Sequence, residues 1–384
     1  MLDSNAVRDL HVKKYGGDPS IFWAPGRVNL IGEHTDYAGG FVMPAAIDFG
    51  TLAAVTPRND GQLAIWSENF EEGVTVAARE LDPANRRKHW SDYPLGVVWA
   101  LRDKGIEVPG FNLTLHGDVP LGAGLSSSAS IEVATVLAAL SLSGSELARD
   151  EMAKLCQRAE NVYVESPCGI MDQFIACNGA ENHALLLDCR SLEFRLAPIP
   201  AHLSLVIANT MVKHSVAEGE YGSRRGEVEA GTAILRSHRP EIVLLRDATT
   251  LDLEKWGHEM PDNVLRRCRH VITENLRTVA AADALAEGNL KRLGDLMAAA
   301  HVSYRDDFEG SCEEADAMVE AAQRLPGLIG ARLTGGGFGG CTVNLVEANR
   351  AKEFSARLHD EYKAATGIDP DIYRCHASAA AHAI

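Results

Sequence analysis

The sequence predicts an α+β fold in two domains. The chain has 384 residues, which suits two domains of about 100–200 residues each. Hydrophobic residues make up 46% and charged residues 23%, a globular composition that excludes disorder or a coiled coil for the whole chain. Strand and helix signals follow each other without regular alternation, which favours α+β over a doubly wound sheet. We expect domains at residues 1–200 and 201–384, with the active site in the cleft between them.

The predicted elements rest on hydrophobic periodicity and on glycine and proline punctuation. The predicted strands are residues 41–57, 61–66, 111–117, 184–187, 203–208 and 341–346. The predicted helical regions are 94–104, a segment ending near 142 after a glycine-rich turn at 120–125, then 145–163, 218–236 and 262–323. Ser145 is a candidate N-cap for the helix that follows it.

The charge balance is strongly acidic. There are 53 Asp and Glu against 37 Lys and Arg, a formal charge of -16, and no basic run exceeds Arg86–Lys88. Such a surface repels nucleic acid and anionic lipid. We therefore expect no nucleic-acid or membrane partner, and a charge that serves solubility.

The eight cysteines form no C-x-x-C pair and no zinc-finger spacing with histidine. The N-terminus shows no basic stretch followed by an apolar one, so no signal peptide is apparent. The longest apolar stretch, Val133–Leu142, is too short to span a bilayer. We expect a cytoplasmic protein with reduced, mostly buried thiols.

A polar cluster at residues 24–37, APGRVNLIGEHTDY, combines both charge signs with apolar anchors. The anchors are Val28, Leu30 and Ile31. The candidate acceptors for the hydroxyls of a polyol are Glu33, His34 and Asp36. Arg27 suits a carboxylate or a phosphate. A solvated turn is the alternative, but the anchors favour polar groups held in fixed positions.

A second cluster, PLGAGLSSSAS at residues 120–130, places glycines and serines before a helix. Glycines let backbone N–H groups converge, and the helix start adds free N–H groups and the positive end of its dipole. The cluster therefore predicts a phosphate-binding turn, with a serine as a possible Mg²⁺ ligand. The alternative is a flexible turn followed by a serine-capped helix.

The third cluster, TGGGFGG at residues 334–340, formally matches G-x-G-x-x-G. A strand rather than a helix follows it, which excludes a dinucleotide-binding motif. We expect instead a close backbone approach to a ligand or to the second cluster. The chain contains no Walker A motif and no H-E-x-x-H motif, which excludes a Walker-type ATPase and makes a zincin an unsuitable description.

Two acidic residues stand apart from the many that belong on the surface. Glu160 lies in the predicted helix 145–163, and Asp172 follows it in the mostly apolar run PCGIMDQFI. Burial alone would raise the pKa of an aspartate, whereas a nearby arginine would lower it. An aspartate held ionised by an arginine is suited to orient or deprotonate an attacking hydroxyl.

These motifs resemble those of the GHMP kinases. GRVNLIGEHTDY followed by GGFVMP is a long and specific signature of the branch that acts on galactose. The second and third clusters resemble the family's phosphate loop and C-terminal glycine loop, and GIMDQ, RDAT and SYRDDFEGSC extend the similarity over about residues 15–345. The resemblance implies a ribosomal S5 domain 2-like N-terminal domain and a ferredoxin-like C-terminal domain.

The resemblance also implies an activity: ATP- and Mg²⁺-dependent phosphorylation of D-galactose at its anomeric hydroxyl, the first committed step of galactose catabolism. Asp172 is the implied catalytic carboxylate and Arg27 its cationic partner. The implied sugar ligands are Glu33, His34, Asp36, Gly169 and Tyr221. The implied Mg²⁺ ligands are Ser128 and Glu160. The implied nucleotide-binding residues are Gly122, Ala123, Gly124, Leu125, Ser126, Ser127, Ser128, Trp90 and Tyr93.

Three residues depart from the family pattern. Glu165 stands where glycine is usual, and it either alters acceptance at the sugar's C2 or C6 or points to solvent; we favour the second. Tyr304 replaces the usual leucine, and no function is attached to it. Ala38 replaces the common asparagine and slightly loosens the turn after Asp36.

Two alternatives remain open. One is a sugar-1-kinase for a related sugar, namely N-acetylgalactosamine, L-arabinose or galacturonate. The other is a sensor that binds sugar and ATP without catalysis. The serine turn and Asp172 are intact, which favours an enzyme. We expect a monomer whose partners are the sugar and ATP.

Overall fold

The structure is a computed structural model that describes residues 3–120, 122–213 and 217–384. Predictions that involve Met1, Leu2 or Leu121 lie outside these residues. The described helices are α1 (Ser4–Tyr15), α2 (Asp92–Asp103), α3 (Ser127–Ser143), α4 (Arg149–Arg158), α5 (Met171–Asn178), α6 (Ala217–His238), α7 (Thr250–Trp256), α8 (Asp262–Ala286), α9 (Leu290–Asp306), α10 (Glu313–Gln323) and α11 (Ala351–Thr366). The described strands are β1 (Ser20–Asn29), β2 (Phe41–Val42), β3 (Pro44–Arg58), β4 (Gln62–Ser67), β5 (Glu72–Ala77), β6 (Gly110–Gly117), β7 (His183–Asp188), β8 (Phe194–Pro198), β9 (Leu203–Lys213), β10 (Leu328–Thr334), β11 (Gly339–Glu347), β12 (Asp371–Cys375) and β13 (His382–Ala383).

The first sheet has six strands in the order β13-β1-β3-β6-β4-β5, all antiparallel except the β4–β6 pair. α3 packs against β1 and β3, and the side chains between them form the largest apolar core. The register of β1 against β3 shifts between Pro25 and Arg27. Such an irregularity re-aims a side chain, and here it comes directly before the arginine of the first cluster.

The second sheet has four antiparallel strands in the order β10-β11-β9-β12, with α9 and α10 packed against β10. A third sheet has three strands in the order β2-β7-β8. The residue that follows β2, Met43, forms backbone hydrogen bonds with Leu30 and Ile31 of the first cluster. The chain ends in β13, which pairs with β1 of the first sheet. The division into domains at residue 200 stays a prediction.

Most predicted elements are confirmed, but the N-cap at Ser145 is wrong. Gly144 adopts a left-handed conformation, φ 67°, that ends α3, and the next helix begins only at Arg149 with Ala148 as its N-cap. Asp150 and Glu151 lie in its first turn, where they complement the positive end of the helix dipole. Residues 159–164 continue the helix as a π-helical turn, which contains Glu160.

Two expectations about side chains are also confirmed. All eight cysteines are free, and five of them are fully buried. The anchors Val28, Leu30 and Ile31 are buried, as predicted for the first cluster. No described helix combines the length and apolar surface that a membrane crossing requires.

Candidate active site

A bidentate ion pair joins the first cluster to the predicted catalytic acid. Arg27 Nε donates to Asp172 Oδ1 at 2.8 Å, and Nη2 donates to Oδ2 at 2.5 Å. Arg27 lies on β1 and is buried, whereas Asp172 lies in the first turn of α5 and is partly exposed. Paired N–H···O bonds of this kind fix both groups in one plane. The structure therefore brings together the arginine and the aspartate that the family resemblance implied as partners.

The same arginine also reaches the glycine turn of the second cluster. Its Nη1 donates to the carbonyl oxygen of Gly124, and its backbone N–H donates to that of Leu125 at 3.0 Å. One side chain thus contacts both the carboxylate of Asp172 and the turn that is expected to hold phosphate.

The turn itself has the backbone that a phosphate cradle needs. Gly122 and Gly124 have φ of 69° and 72°, and Ser126 has φ of 62° at the N-cap of α3. These left-handed positions redirect backbone N–H groups. Within the described residues the buried hydroxyl of Ser126 has no hydrogen-bond partner. A buried hydroxyl without a protein partner at a helix start is suited to hydrogen-bond to a phosphate oxygen.

The third cluster lies against this turn, which confirms one of the two expectations for it. A Cβ added at Gly335 would lie 3.5 Å from the carbonyl oxygen of Gly124, and one added at Gly340 would lie 3.8 Å from that of Ala123. The two glycine loops are therefore in van der Waals reach of each other, although about 210 residues separate them in sequence.

The predicted metal ligands are adjacent. The hydroxyl of Ser128 hydrogen-bonds to the carboxylate of Glu160, and Gln173 Nε2 donates to Glu160 at 2.5 Å and to Glu132 at 3.1 Å. Burial, together with the negative charge of Asp172, raises the pKa of Glu160 to about 7. Burial and the charge of Glu160 raise the pKa of Glu132 well above its usual range.

This donor set fits Mg²⁺ together with nucleotide phosphates. Hydroxyl and carboxylate oxygens are the ligands that Mg²⁺ prefers, and it usually completes its shell with water and phosphate oxygens. No group of three or more His, Cys, Asp or Glu side chains able to hold a metal occurs among the described residues. Ser128 and Glu160 bring one hydroxyl and one carboxylate to this position.

A cavity of about 250 Å³ contains the predicted sugar ligands. Its lining includes Arg27, Glu33, His34, Asp36, Gly169, Asp172 and Tyr221. The remaining lining residues are Gly32, Pro167, Cys168, Met171, Gly335 and Gly336. The first cluster, the GIMDQ segment, α6 and the third cluster thus meet at one concave site.

Asp36 and Gly169 approach each other closely on the wall of this cavity. A Cβ added at Gly169 would lie 1.6 Å from Asp36 Oδ2, so only glycine fits there. Burial raises the pKa of Asp36 to about 6; the backbone N–H of Tyr37 lowers it, and the charge of Asp172 raises it. The carboxylate therefore changes charge near neutral pH.

Glu33 is tied to the C-terminal half of the chain by several partners. Its Oε1 accepts the backbone N–H of Gly335 at 2.7 Å and lies 3.2 Å from Arg332 Nη1, while Asn29 donates to Oε2. Arg332 is fully buried and lies 3.8 Å from the buried Glu274. The sequence interpretation missed Arg332 and Glu274; an arginine inside the apolar strand segment that leads into the third cluster was the available signal.

His34 has a strained backbone, and its two ring nitrogens each lie near a tyrosine hydroxyl. Its φ is 60°, Nε2 lies 3.0 Å from Tyr304 Oη, and Nδ1 lies 3.3 Å from Tyr37 Oη. Burial, together with the neighbouring His270, lowers the pKa of His34 to about 3, so the ring is neutral. The sequence interpretation attached no function to Tyr304, which the structure places beside the site.

Trp90 and Tyr93 are joined by a backbone hydrogen bond of 3.4 Å, but their side chains have different surroundings. Trp90 lines a small second cavity with Phe70, Ile131 and Ser127 of α3, and its ring stacks on Phe70 with centroids 5.7 Å apart. Tyr93 does not line that cavity. Burial raises the pKa of Tyr93 to about 12, and Glu160 and Glu132 contribute, which places it near the acidic residues.

Three family models and several known proteins are similar to this chain. The galactokinase galactose-binding signature matches residues 9–57, the GHMP kinase N-terminal domain matches 92–180 and the GHMP kinase C-terminal domain matches 281–364. The galactokinase of Chloroflexus aurantiacus is 43% identical over 369 residues, which cover 96% of this chain and 94% of that protein. The chain belongs to the galactokinase family of GHMP kinases. It is therefore a kinase that uses ATP.

Other relatives agree with this membership. The galactokinase of Roseiflexus sp. is 41% identical over 379 residues, covering 98% of this chain and 96% of that protein. The crystal structure of Lactococcus lactis galactokinase complexed with galactose is 32% identical, with a TM-score of 0.93 over 98% of this chain and 99% of that chain. The mevalonate kinase of Methanococcus jannaschii, 20% identical with a TM-score of 0.67, covers 94% of this chain and 99% of that chain and shares the fold alone. The fold is thus the α+β fold of GHMP kinases.

Glu165, a departure from the family, points away from the cavity. It ends the π-helical turn with φ 58°, is 56% exposed, and forms an ion pair with Arg86. It does not line the sugar cavity. At this left-handed φ a side chain strains the backbone, so glycine would suit the position better.

Replacing Glu165 should reveal this strain in the free energy of unfolding. Glu165→Gly and Glu165→Ala both lose the ion pair with Arg86, but only alanine keeps a Cβ at φ 58°. We expect the glycine variant to be about 1 kcal/mol more stable than the alanine variant in urea unfolding. A Michaelis constant for galactose that moves more than about threefold in the glycine variant would contradict the solvent-facing placement.

Proposed function

We propose that this enzyme phosphorylates D-galactose at its anomeric hydroxyl with ATP, giving galactose 1-phosphate and ADP. The observation that carries the proposal is the position of Arg27, whose guanidinium contacts the Asp172 carboxylate in the sugar cavity and the Gly124 carbonyl of the glycine turn. The match to the galactose-binding signature supports galactose as the sugar. This is the first committed step of galactose catabolism.

In this proposal Asp172 receives the proton of the sugar hydroxyl. The anomeric hydroxyl belongs to a hemiacetal and is more acidic than an ordinary alcohol, so a carboxylate suffices as its base. Arg27 holds both oxygens of Asp172. It also lies between the carboxylate and the turn, where it neutralises charge on the transferring phosphoryl group.

We propose that the nucleotide phosphates lie against residues 122–128, at the start of α3. The left-handed glycines and the free hydroxyl of Ser126 support this placement, because such backbone N–H groups and hydroxyls bind phosphate oxygens. Ser128 and Glu160 would hold Mg²⁺, which neutralises charge on the β- and γ-phosphates when it is bound. Trp90 lines the second, smaller cavity together with Ser127 and would border the adenine ring of ATP.

A panel of sugars tests the proposal. ADP release should be fastest with D-galactose and much slower with N-acetylgalactosamine, L-arabinose and galacturonate, because the acceptors of the cavity are fixed by buried partners. If one of the other sugars were turned over faster than galactose, that sugar would be the substrate instead. Binding of sugar and ATP without ADP release would identify a sensor.

We further propose a cytoplasmic monomer whose domains meet near residue 200.

The affinity for galactose should fall when the solution is acidified. Asp36, with a pKa of about 6, accepts hydrogen bonds best as a carboxylate, so its contribution is present above pH 6 and is lost below it. We expect the dissociation constant measured without nucleotide to rise about tenfold from pH 7 to pH 5. In Asp36→Asn the affinity should be weaker and should not vary with pH. A wild-type affinity that is constant over this range would contradict the assignment.

A further inference from the structure

Tyr304 lies deep in the molecule at the meeting point of three segments. It belongs to α9 and is fully buried. Its hydroxyl lies 3.0 Å from His34 Nε2 and 3.1 Å from the carbonyl oxygen of Gly335, where it acts as donor. One hydroxyl thus contacts a sugar-cavity histidine of the first cluster and the backbone of the third cluster.

The protons of this chain of contacts can be assigned. A carbonyl oxygen only accepts, so the single O–H of Tyr304 is donated to Gly335. The hydroxyl oxygen must then accept from His34, which places the ring proton of the neutral imidazole on Nε2. Nδ1 is left as an acceptor and lies 3.3 Å from the hydroxyl of Tyr37, while the backbone of Gly336 also hydrogen-bonds to the ring.

Packing holds the hydroxyl in this position. The Tyr304 ring stacks on His270 with centroids 5.6 Å apart at 25°, and it packs on Phe308 at the same distance. The backbone closes the remaining space: a Cβ at Gly337 would lie 2.5 Å from the hydroxyl oxygen, and one at Gly310 would lie 2.3 Å from Cε2. The ring therefore has no room to change rotamer.

We propose that Tyr304 is a positioning residue of the sugar site. Its hydroxyl holds His34 as the Nε2–H tautomer, leaves Nδ1 to accept a hydrogen bond from a sugar hydroxyl, and links this arrangement to the Gly335 carbonyl of the third cluster. The sugar contact rests on the proposed function, whereas the tautomer does not.

Tyr304→Phe removes the hydroxyl and keeps the ring. We expect the Michaelis constant for galactose to rise about tenfold, while kcat and the Michaelis constant for ATP change less than about twofold. In a His34→Gln background, Tyr304→Phe should have no further effect on the galactose constant, because the group it positions is absent. Equal effects of Tyr304→Phe in both backgrounds would overturn the proposal.

Tyr362→Phe is the matched control. Tyr362 is also fully buried, and its hydroxyl donates to the carbonyl of Thr210 at 2.9 Å in the second sheet. It should lose stability like Tyr304→Phe but keep the wild-type galactose constant. A similar rise of that constant in both variants would show that a lost buried hydrogen bond, rather than positioning, is the cause.

Nitrogen-15 spectra of the histidines in the ligand-free wild type report the tautomer directly. We expect His34 as Nε2–H, and as a mixture of tautomers in Tyr304→Phe. Nδ1–H in the wild type would overturn the proposal even if the variant fails to fold. Absence of galactose turnover in the wild type would remove the proposed function and leave the tautomer test intact.

Discussion

Asp172→Asn is expected to lower kcat about a thousandfold while galactose still binds. An amide has the shape of the carboxylate but accepts no proton near neutral pH. It also presents an N–H group to one of the two Arg27 donors that now bond to Asp172. The affinity for galactose should change less than about threefold, because Asp172 acts mainly on the reacting hydroxyl.

Rapid-quench single-turnover kinetics would measure the phosphoryl transfer step, and calorimetry would measure galactose binding. Asp103→Asn serves as the control. Asp103 forms a surface ion pair with Arg158, with an N···O distance of 2.8 Å, and it does not line the cavity. It should leave both quantities unchanged. A kcat within about tenfold of wild type in Asp172→Asn would remove Asp172 as the base.

Arg332→Met is expected to destabilise the fold by about 3 kcal/mol. The guanidinium is fully buried and lies 3.2 Å from Glu33 and 3.8 Å from Glu274. Methionine fills much of the volume but leaves two buried carboxylates without this positive charge. Arg277 still pairs with Glu274 at 2.7 Å, so Glu33 loses most. Because Glu33 lines the cavity and holds the N–H of Gly335, galactose affinity should also fall.

Urea unfolding compares this variant with Arg350→Met. Arg350 pairs with Glu347 at 3.1 Å on the surface and is 46% exposed, so its loss should cost less than about 1 kcal/mol. Similar unfolding free energies for the two variants would contradict a structural role for the buried charge.

The local part of the site could be predicted from the sequence. The apolar anchors of the first cluster predicted that its polar groups are held in place, and the structure buries all three anchors. The resemblance to the GHMP kinases implied Arg27 as the cationic partner of Asp172, and the two side chains form an ion pair. The first prediction rests on a short-range pattern, in which neighbours in sequence determine the environment of a side chain. The second joins residues that are 145 positions apart and came from the family resemblance.

The contacts that were missed join distant segments. Tyr304 lies 270 residues from His34, and Arg332 lies about 300 residues from Glu33. Only the packing of the second sheet and α9 against the first cluster creates these contacts. The N-cap error at Ser145 has a different origin, because left-handed Gly144 is followed by an extended segment that delays the helix. Local propensity alone does not show how long such a segment runs.

Carbon-13 and phosphorus-31 spectra of the reaction with [1-¹³C]galactose and ATP test the central claim most directly. If the anomeric oxygen faces Asp172 beside the glycine turn, the C1 signal of the product is split by coupling to phosphorus, and one ADP forms for each sugar consumed. Product in which C1 shows no coupling, with phosphorus attached at C6 or another carbon, would contradict this arrangement of sugar, carboxylate and phosphate turn.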